Sequence, residues 1–249
     1  MVIGVSYFGN KAFLPLVNTW LDVYKRSGCK YRVVIITDLD AIVPPDSVPY
    51  DVNGTKALSH LRIDVSLYPE IIRKKKAFDM QGTLSTQAIQ ILPRCLIVDA
   101  DAFFVKDPTP LIESLPRAVF GMTEDPVTRG IKGCTGTITE YNAGVLYYGT
   151  DSREDRLELA RLYRDTFNEL RPANDNIMLE QITWSVVLHK LKARGFQLPR
   201  ALNWSRMWGK NNADYSVFHE HGPDKWNFIQ GLELNSIDKP KSLYRDYYN

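Results

Sequence analysis

Apolar runs of strand length alternate along this chain with longer segments whose apolar positions recur at helical spacing. VIGVSY at Val2–Tyr7 is followed by PLVNTWLDVYKR and then by VVIITD at Val33–Asp38. A continuous apolar run suits a strand buried on both faces, and its alternation with amphipathic helices predicts an α/β fold with wound strand–helix units. A loop rich in Pro and Asp, AIVPPDSVPYD, comes next, and a basic segment from Arg73 to Ile91 reads as a helix ending ahead of Pro93. Further strands are predicted at CLIVDAD, AVFGMTED, Asn142–Tyr148 and Ser216–His219. Two more helices are predicted, REDRLELARLYRDTFNEL and a segment from about Ile177 to Lys192 closed by Gly195. Pro126–Thr139, crowded with Gly and Thr, reads as a mobile loop.

The 249 residues, 44% of them hydrophobic, can bury one sizeable core, and we expect one domain with a short C-terminal appendage. Residues 1–105 would form a nucleotide-binding half, 106–230 a second half, and 231–249 a tail. Lys+Arg (31) nearly balance Asp+Glu (29), so charge by itself does not argue for nucleic acid. Cys29, Cys95 and Cys134 are far apart and odd in number, with no zinc or disulfide spacing, and read as reduced core or loop residues. No apolar run approaches the roughly 20 residues that span a bilayer. The first residues begin a strand with neither a basic leader nor an apolar stretch, so a cytoplasmic enzyme is expected, of viral or bacterial origin as readily as any other. The sequons at Asn53 and Asn203 then carry no meaning.

Candidate chemistry concentrates in two places. In LIVDADAFF, two carboxylates leave the end of a buried strand; side chains i and i+2 of an extended chain point the same way, so Asp99 and Asp101 can converge on one cation. Hard divalent ions such as Mn²⁺ or Mg²⁺ favour such oxygens, and the carboxyl end of a strand in an open α/β sheet is where ligands usually bind. The plainer alternative has both acids capping the next turn. In VFHEHGPDKWN, His219, Gly222 and Lys225 are spaced to wrap a turn around an anion, with His219 (or His221) a third metal ligand and Lys225 a cation for a diphosphate. No dinucleotide fingerprint or P-loop is present.

These residues, with YNAGVLYY, LEQITWSVVL and LPRALNW between them, occur in an order that resembles the retaining GT-A glycosyltransferases of the glycogenin and bacterial galactosyltransferase group, often called family eight. DAD is similar to that family's D-x-D, Asn142–Val145 to its N-A-G-V strand, and HEHGPDK to its H-x-x-G-x-x-K. Two departures stand out: Glu180 occupies a position where the family usually has Asp, and Trp226 follows Lys225 without an intervening Pro.

The resemblance implies a GT-A fold with a mixed, mostly parallel central sheet flanked by helices. It implies transfer of a hexose-type sugar from a nucleotide-sugar, a UDP-sugar above all, with Mn²⁺ (or Mg²⁺) and retention of configuration. The acceptor would be a saccharide or glycoconjugate, ahead of protein or nucleic acid. Asp101 and His219 would ligate metal, Asp99 would contact metal or ribose, and Gly222 and Lys225 would hold the diphosphate. Asn142, Glu180 and Gln181 would line the transferred sugar. Tyr7 and Asp38 would face the nucleotide, and Lys76, from the Arg73–Lys76 run, is the nearest candidate for a basic donor contact. Two alternatives remain open: a haloacid-dehalogenase-like phosphatase, which also places D-x-D after an apolar strand but near the N-terminus, and a sugar-nucleotide-binding module without catalysis. All of it requires His219 to lie near Asp101.

Overall fold

The computed structural model describes residues 1–7, 14–65, 77–125, 138–171, 179–205 and 214–219. The first wound unit is strand β1 (Val2–Ser6), helix α1 (Leu14–Ser27) and strand β2 (Arg32–Asp38). Helix α1 stops where Gly28 takes a φ of 83°, a left-handed turn that costs glycine little. Strands β3 (Val48–Pro49) and β4 (Leu58–Ile63) follow, then helix α2 (Ala77–Ile91), strand β5 (Cys95–Asp99) and the short strand β6 (Ala102–Phe104). Helix α3 (Thr109–Ser114) leads to strand β7 (Phe120–Glu124) and strand β8 (Tyr141–Tyr148). Helix α4 (Arg153–Leu170) is capped by Ser152, whose hydroxyl accepts from the Asp155 N–H at 3.2 Å, and precedes helix α5 (Leu179–Leu191), strand β9 (Gly195–Gln197) and strand β10 (Val217–His219).

Eight strands form one sheet in the order β3-β4-β2-β1-β5-β8-β7-β9. Pairing is parallel from β3 to β5, β8 runs antiparallel to both its neighbours, and β9 is parallel to β7, so among the described strands of this sheet only β8 is reversed. This is the mixed, mostly parallel sheet that the resemblance implies. Successive residues of the central strands fall into different core clusters. Val34, Ile36, Ile97 and Leu146 pack with helices α2, α4 and α5, while Val33, Ile35, Leu96 and Val145 pack with α1 and with β6 and β10. The alternation is the period-2 geometry of a strand with both faces covered, which is why the sequence shows unbroken apolar runs.

Strand β4 and the short strands β3, β6 and β9 were not predicted. The apolar residues of LSHLRI do not alternate; register with β2, from Val33 opposite Leu58 to Asp38 opposite Ile63, makes this segment a strand. Helix α5 ends at Leu191 ahead of the expected stop, because Lys192 adopts a φ of 52°, the left-handed conformation, and Gly195 instead begins β9. Of the cysteines, Cys29 and Cys95 are free and buried, and burial pushes the Cys95 thiol up to about 12, an inert core thiol. Cys134, the Arg73–Lys76 run, almost all of the Pro126–Thr139 segment and the tail lie outside the described residues. Among the described residues no helix is long and apolar enough to cross a membrane.

Candidate metal and donor site

Strand β5 ends at Asp99, a turn carries Ala100 and Asp101, and Ala102 begins β6. The two acids therefore do not share the one extended strand that their i and i+2 spacing predicts; a turn brings their carboxylates together. That turn is held from behind by Trp20 on α1. Its indole N–H donates to the Ala102 carbonyl at 2.7 Å, and its ring meets Phe104 edge-on at 5.5 Å.

The third member arrives by long-range pairing. Strand β10 runs antiparallel to β6 with His219 opposite Ala102, and the His219 N–H donates to the Trp204 carbonyl at 2.7 Å. His219 Nε2 lies 3.3 Å from Asp101 Oδ1 and 3.9 Å from Asp99 Oδ2. One donor atom from each of Asp99, Asp101 and His219 falls within 4.8 Å of the others. Two bonds of about 2.1 Å place cis ligands about 3 Å apart and trans ligands about 4.2 Å apart, so the donor set fits a divalent cation with little adjustment. His219 is 2% exposed, and the carboxylates of Asp99 and Asp101 are partly open to solvent.

Around this cluster the β7–β8 register breaks: Met122 faces Leu146, while Thr123 faces Asn142. The backbone N–H groups at the break donate to side chains, Ala143 to Gln181 Oε1 at 3.3 Å and Gly144 to Asn142 Oδ1 at 2.9 Å. Asn142 Oδ1 also lies 2.9 Å from Asn203 Nδ2 and 3.2 Å from His219 Nδ1, and Asn203 Oδ1 lies 3.1 Å from the same ring nitrogen. The bulge brings backbone against the imidazole. A Cβ on Gly144 would sit 1.9 Å from His219 Cε1, so only glycine fits without displacing the ring. We expect Gly144→Ala to cost about 1–3 kcal/mol as overpacking and to abolish any Mn²⁺-dependent rise in melting temperature. Thermal melts with and without Mn²⁺ check this, and an unchanged metal shift would show that the ring need not stay where it is.

The other expected residues are distributed around this point. Gln181 sits beside β8 with both polar atoms engaged: Oε1 accepts from Ala143, and Nε2 donates to Glu140 Oε1 at 2.7 Å. Glu180, the preceding residue, faces a different direction on α5; a Cβ on Gly82 would lie 2.7 Å from its Cγ, which places Glu180 against helix α2. Tyr7 follows β1 but is 3% exposed, its hydroxyl donates to the Ile42 carbonyl, and burial pushes that hydroxyl above the ordinary phenol range. Asp38 ends β2, buried, with the Thr37 hydroxyl donating to its Oδ1 at 3.2 Å. Lys76, Gly222, Lys225 and His221 fall outside the described residues.

Sequence reasoning missed Glu140, a fully buried carboxylate one residue ahead of β8, and Trp20. A lone acid beside a loop carries no local signal. Trp20 looks like any core residue of an amphipathic helix, and Asn203, noticed within LPRALNW, was given no role.

No family model and no curated protein matches the sequence. Solved structures match the fold. One is the galactosyltransferase LgtC in complex with donor and acceptor sugar analogs, at TM-score 0.65 and 12% identity over 95% of this chain and 97% of that one. A second is the glycosyltransferase GlyE of Streptococcus pneumoniae TIGR4, at TM-score 0.57 and 11% identity over 92% of this chain but 60% of that one. A third is mouse xyloside xylosyltransferase 1, at TM-score 0.55 and 13% identity over 88% and 96%. Glycosyltransferase folds superposing along nearly the full chain leave the phosphatase alternative without structural support. The chain thus has the GT-A glycosyltransferase fold that its D-A-D, N-A-G-V and H-x-x-G-x-x-K segments imply.

Proposed function

We propose that this chain transfers a hexose-type sugar from a nucleotide-sugar, with a UDP-sugar as donor and Mn²⁺ or Mg²⁺ as cofactor. The observation that carries the reading is the convergence of Asp99, Asp101 and His219 within 4.8 Å beside the carboxyl end of β5, in a GT-A fold. That edge is where ligands of open α/β sheets bind. A divalent ion held by these three side chains would supply positive charge against the diphosphate that leaves when the glycosidic bond breaks. Gly222 and Lys225, a short distance after His219 in the chain, are assigned to the same diphosphate: the glycine by close backbone approach, the lysine by charge.

Asn142, Gln181 and, from the α2-facing side of α5, Glu180 are assigned to the wall around the donor sugar, with retention of configuration. The amide of Gln181 is held by Ala143 on one side and Glu140 on the other, so it presents a fixed dipole to that wall. Tyr7 and Asp38 are assigned to the nucleotide side at the ends of β1 and β2, and Lys76 to a donor contact. Residues 1–105 would serve the nucleotide, residues 106–230 the sugar and acceptor, and 231–249 would form a tail. The acceptor class is a saccharide or glycoconjugate.

The test is a thermal-shift and UDP-release screen across nucleotide-sugars, with and without Mn²⁺. We expect UDP-sugars to raise the melting temperature only when metal is present, and one of them to release UDP. Stabilisation by GDP-sugars alone, or by none, would overturn the donor assignment. Stabilisation with no turnover in the presence of saccharide acceptors or water would favour a sugar-nucleotide-binding module instead.

A further inference from the structure

We propose that Asn142 and Asn203 are positioning residues that hold the ring hydrogen of His219 on Nδ1, leaving Nε2 as the bare nitrogen facing Asp99 and Asp101. The inference rests on the metal-site reading above and names a device behind it. A backbone N–H can only donate, so the atom of Asn142 that lies 2.9 Å from the Gly144 nitrogen is the side-chain oxygen. An oxygen there requires the Asn203 atom 2.9 Å away to be the NH₂ group. The amide of Asn203 is thereby oriented, and its oxygen is the atom 3.1 Å from His219 Nδ1. Asn142 Oδ1 lies 3.2 Å from the same nitrogen. Both asparagine oxygens beside Nδ1 are therefore acceptors, which among the described residues calls for a hydrogen on Nδ1. One backbone amide thus sets the ring through two side-chain amides, all of them buried.

The alternative tautomer shows what the arrangement prevents. With its hydrogen on Nε2, the ring would donate to Asp101 Oδ1, 3.3 Å away, and satisfy the cluster with no cation. That state would compete with metal binding, and it would leave a bare Nδ1 facing two amide oxygens with no hydrogen between the nitrogen and either of them. The amide pair makes the competitor costly and presents a lone pair to the carboxylates before any ion arrives. Partners on the far nitrogen of a ligating histidine commonly contribute tenfold to a hundredfold in metal affinity.

The test begins with the unmutated, ¹⁵N-labelled full-length chain without metal, at a pH above the ordinary imidazole range. The sequence has four histidines, so loss of one signal in a His219→Asn variant assigns the ring. Two-bond ¹H–¹⁵N correlation should show His219 with hydrogen on Nδ1; a ring with hydrogen on Nε2 would overturn the proposal without any amide variant having to fold. In the Asn142→Ala/Asn203→Ala double variant, the Nε2–H form should appear and the Mn²⁺ dissociation constant should rise about tenfold or more. Asn203→Asp, which keeps an acceptor opposite Nδ1 while losing the NH₂ donor to Asn142, should retain the Nδ1–H pattern. If His219→Asn weakens Mn²⁺ binding while the double variant leaves both tautomer and affinity unchanged, this proposal fails and the metal site stands. If His219→Asn leaves Mn²⁺ binding untouched, the metal reading itself fails.

Discussion

An Asp101→Asn variant should lose on the order of 10²–10³-fold in donor turnover at saturating Mn²⁺, because it removes a formal charge from the group that would hold the cation against the leaving diphosphate. The carboxylate sits in the turn between β5 and β6, with Oδ1 3.3 Å from His219 Nε2, so a neutral amide of the same shape keeps the fold while changing the donor set. Two measurements separate this from general damage. The melting temperature without metal should not fall, since one of two neighbouring like charges is gone. The Mn²⁺-dependent rise expected of the unmutated chain should disappear. A variant that loses activity but keeps its metal shift would remove Asp101 from the donor set and leave it a turn-capping acid.

The largest stability effect should come from Trp20, far from the acids in sequence but tied to their turn. Its side chain is fully buried, stacks on Tyr24 at 5.1 Å and donates to the Ala102 carbonyl. Trp20→Ala should destabilise the fold by about 3–5 kcal/mol, read from urea unfolding, as lost burial and a cavity between α1 and β6. Trp20→Phe keeps most of the apolar volume but leaves the Ala102 carbonyl without this donor, and should cost about 1–3 kcal/mol. The same Phe variant should weaken Mn²⁺ binding, because Ala102 directly follows Asp101 and pairs with His219 across β6 and β10. Metal affinity unchanged in Trp20→Phe would show that the turn holds its shape without the indole.

The amino-acid sequence by itself determined the parts of this protein whose signals are local. Unbroken apolar runs mark β1, β2 and β5, helical spacing marks α1, α4 and α5, and two acids at the end of the β5 run mark the place where a cation can sit. The Asn-Ala-Gly segment was visible as a motif, yet not as what it is: a register break whose N–H groups are capped by Asn142 and Gln181, and whose glycine lets an imidazole lie against the backbone. Tertiary structure alone decided that His219 meets Asp101, through β10 pairing with β6, that the neighbours Glu180 and Gln181 face different elements, and that Glu140 and Asn203 stand behind the site. The physical reason is range. Periodicity and turn chemistry act over a few residues and leave their mark in composition, whereas convergence of distant side chains depends on strand pairing and packing and leaves no signature in the residues that happen to meet.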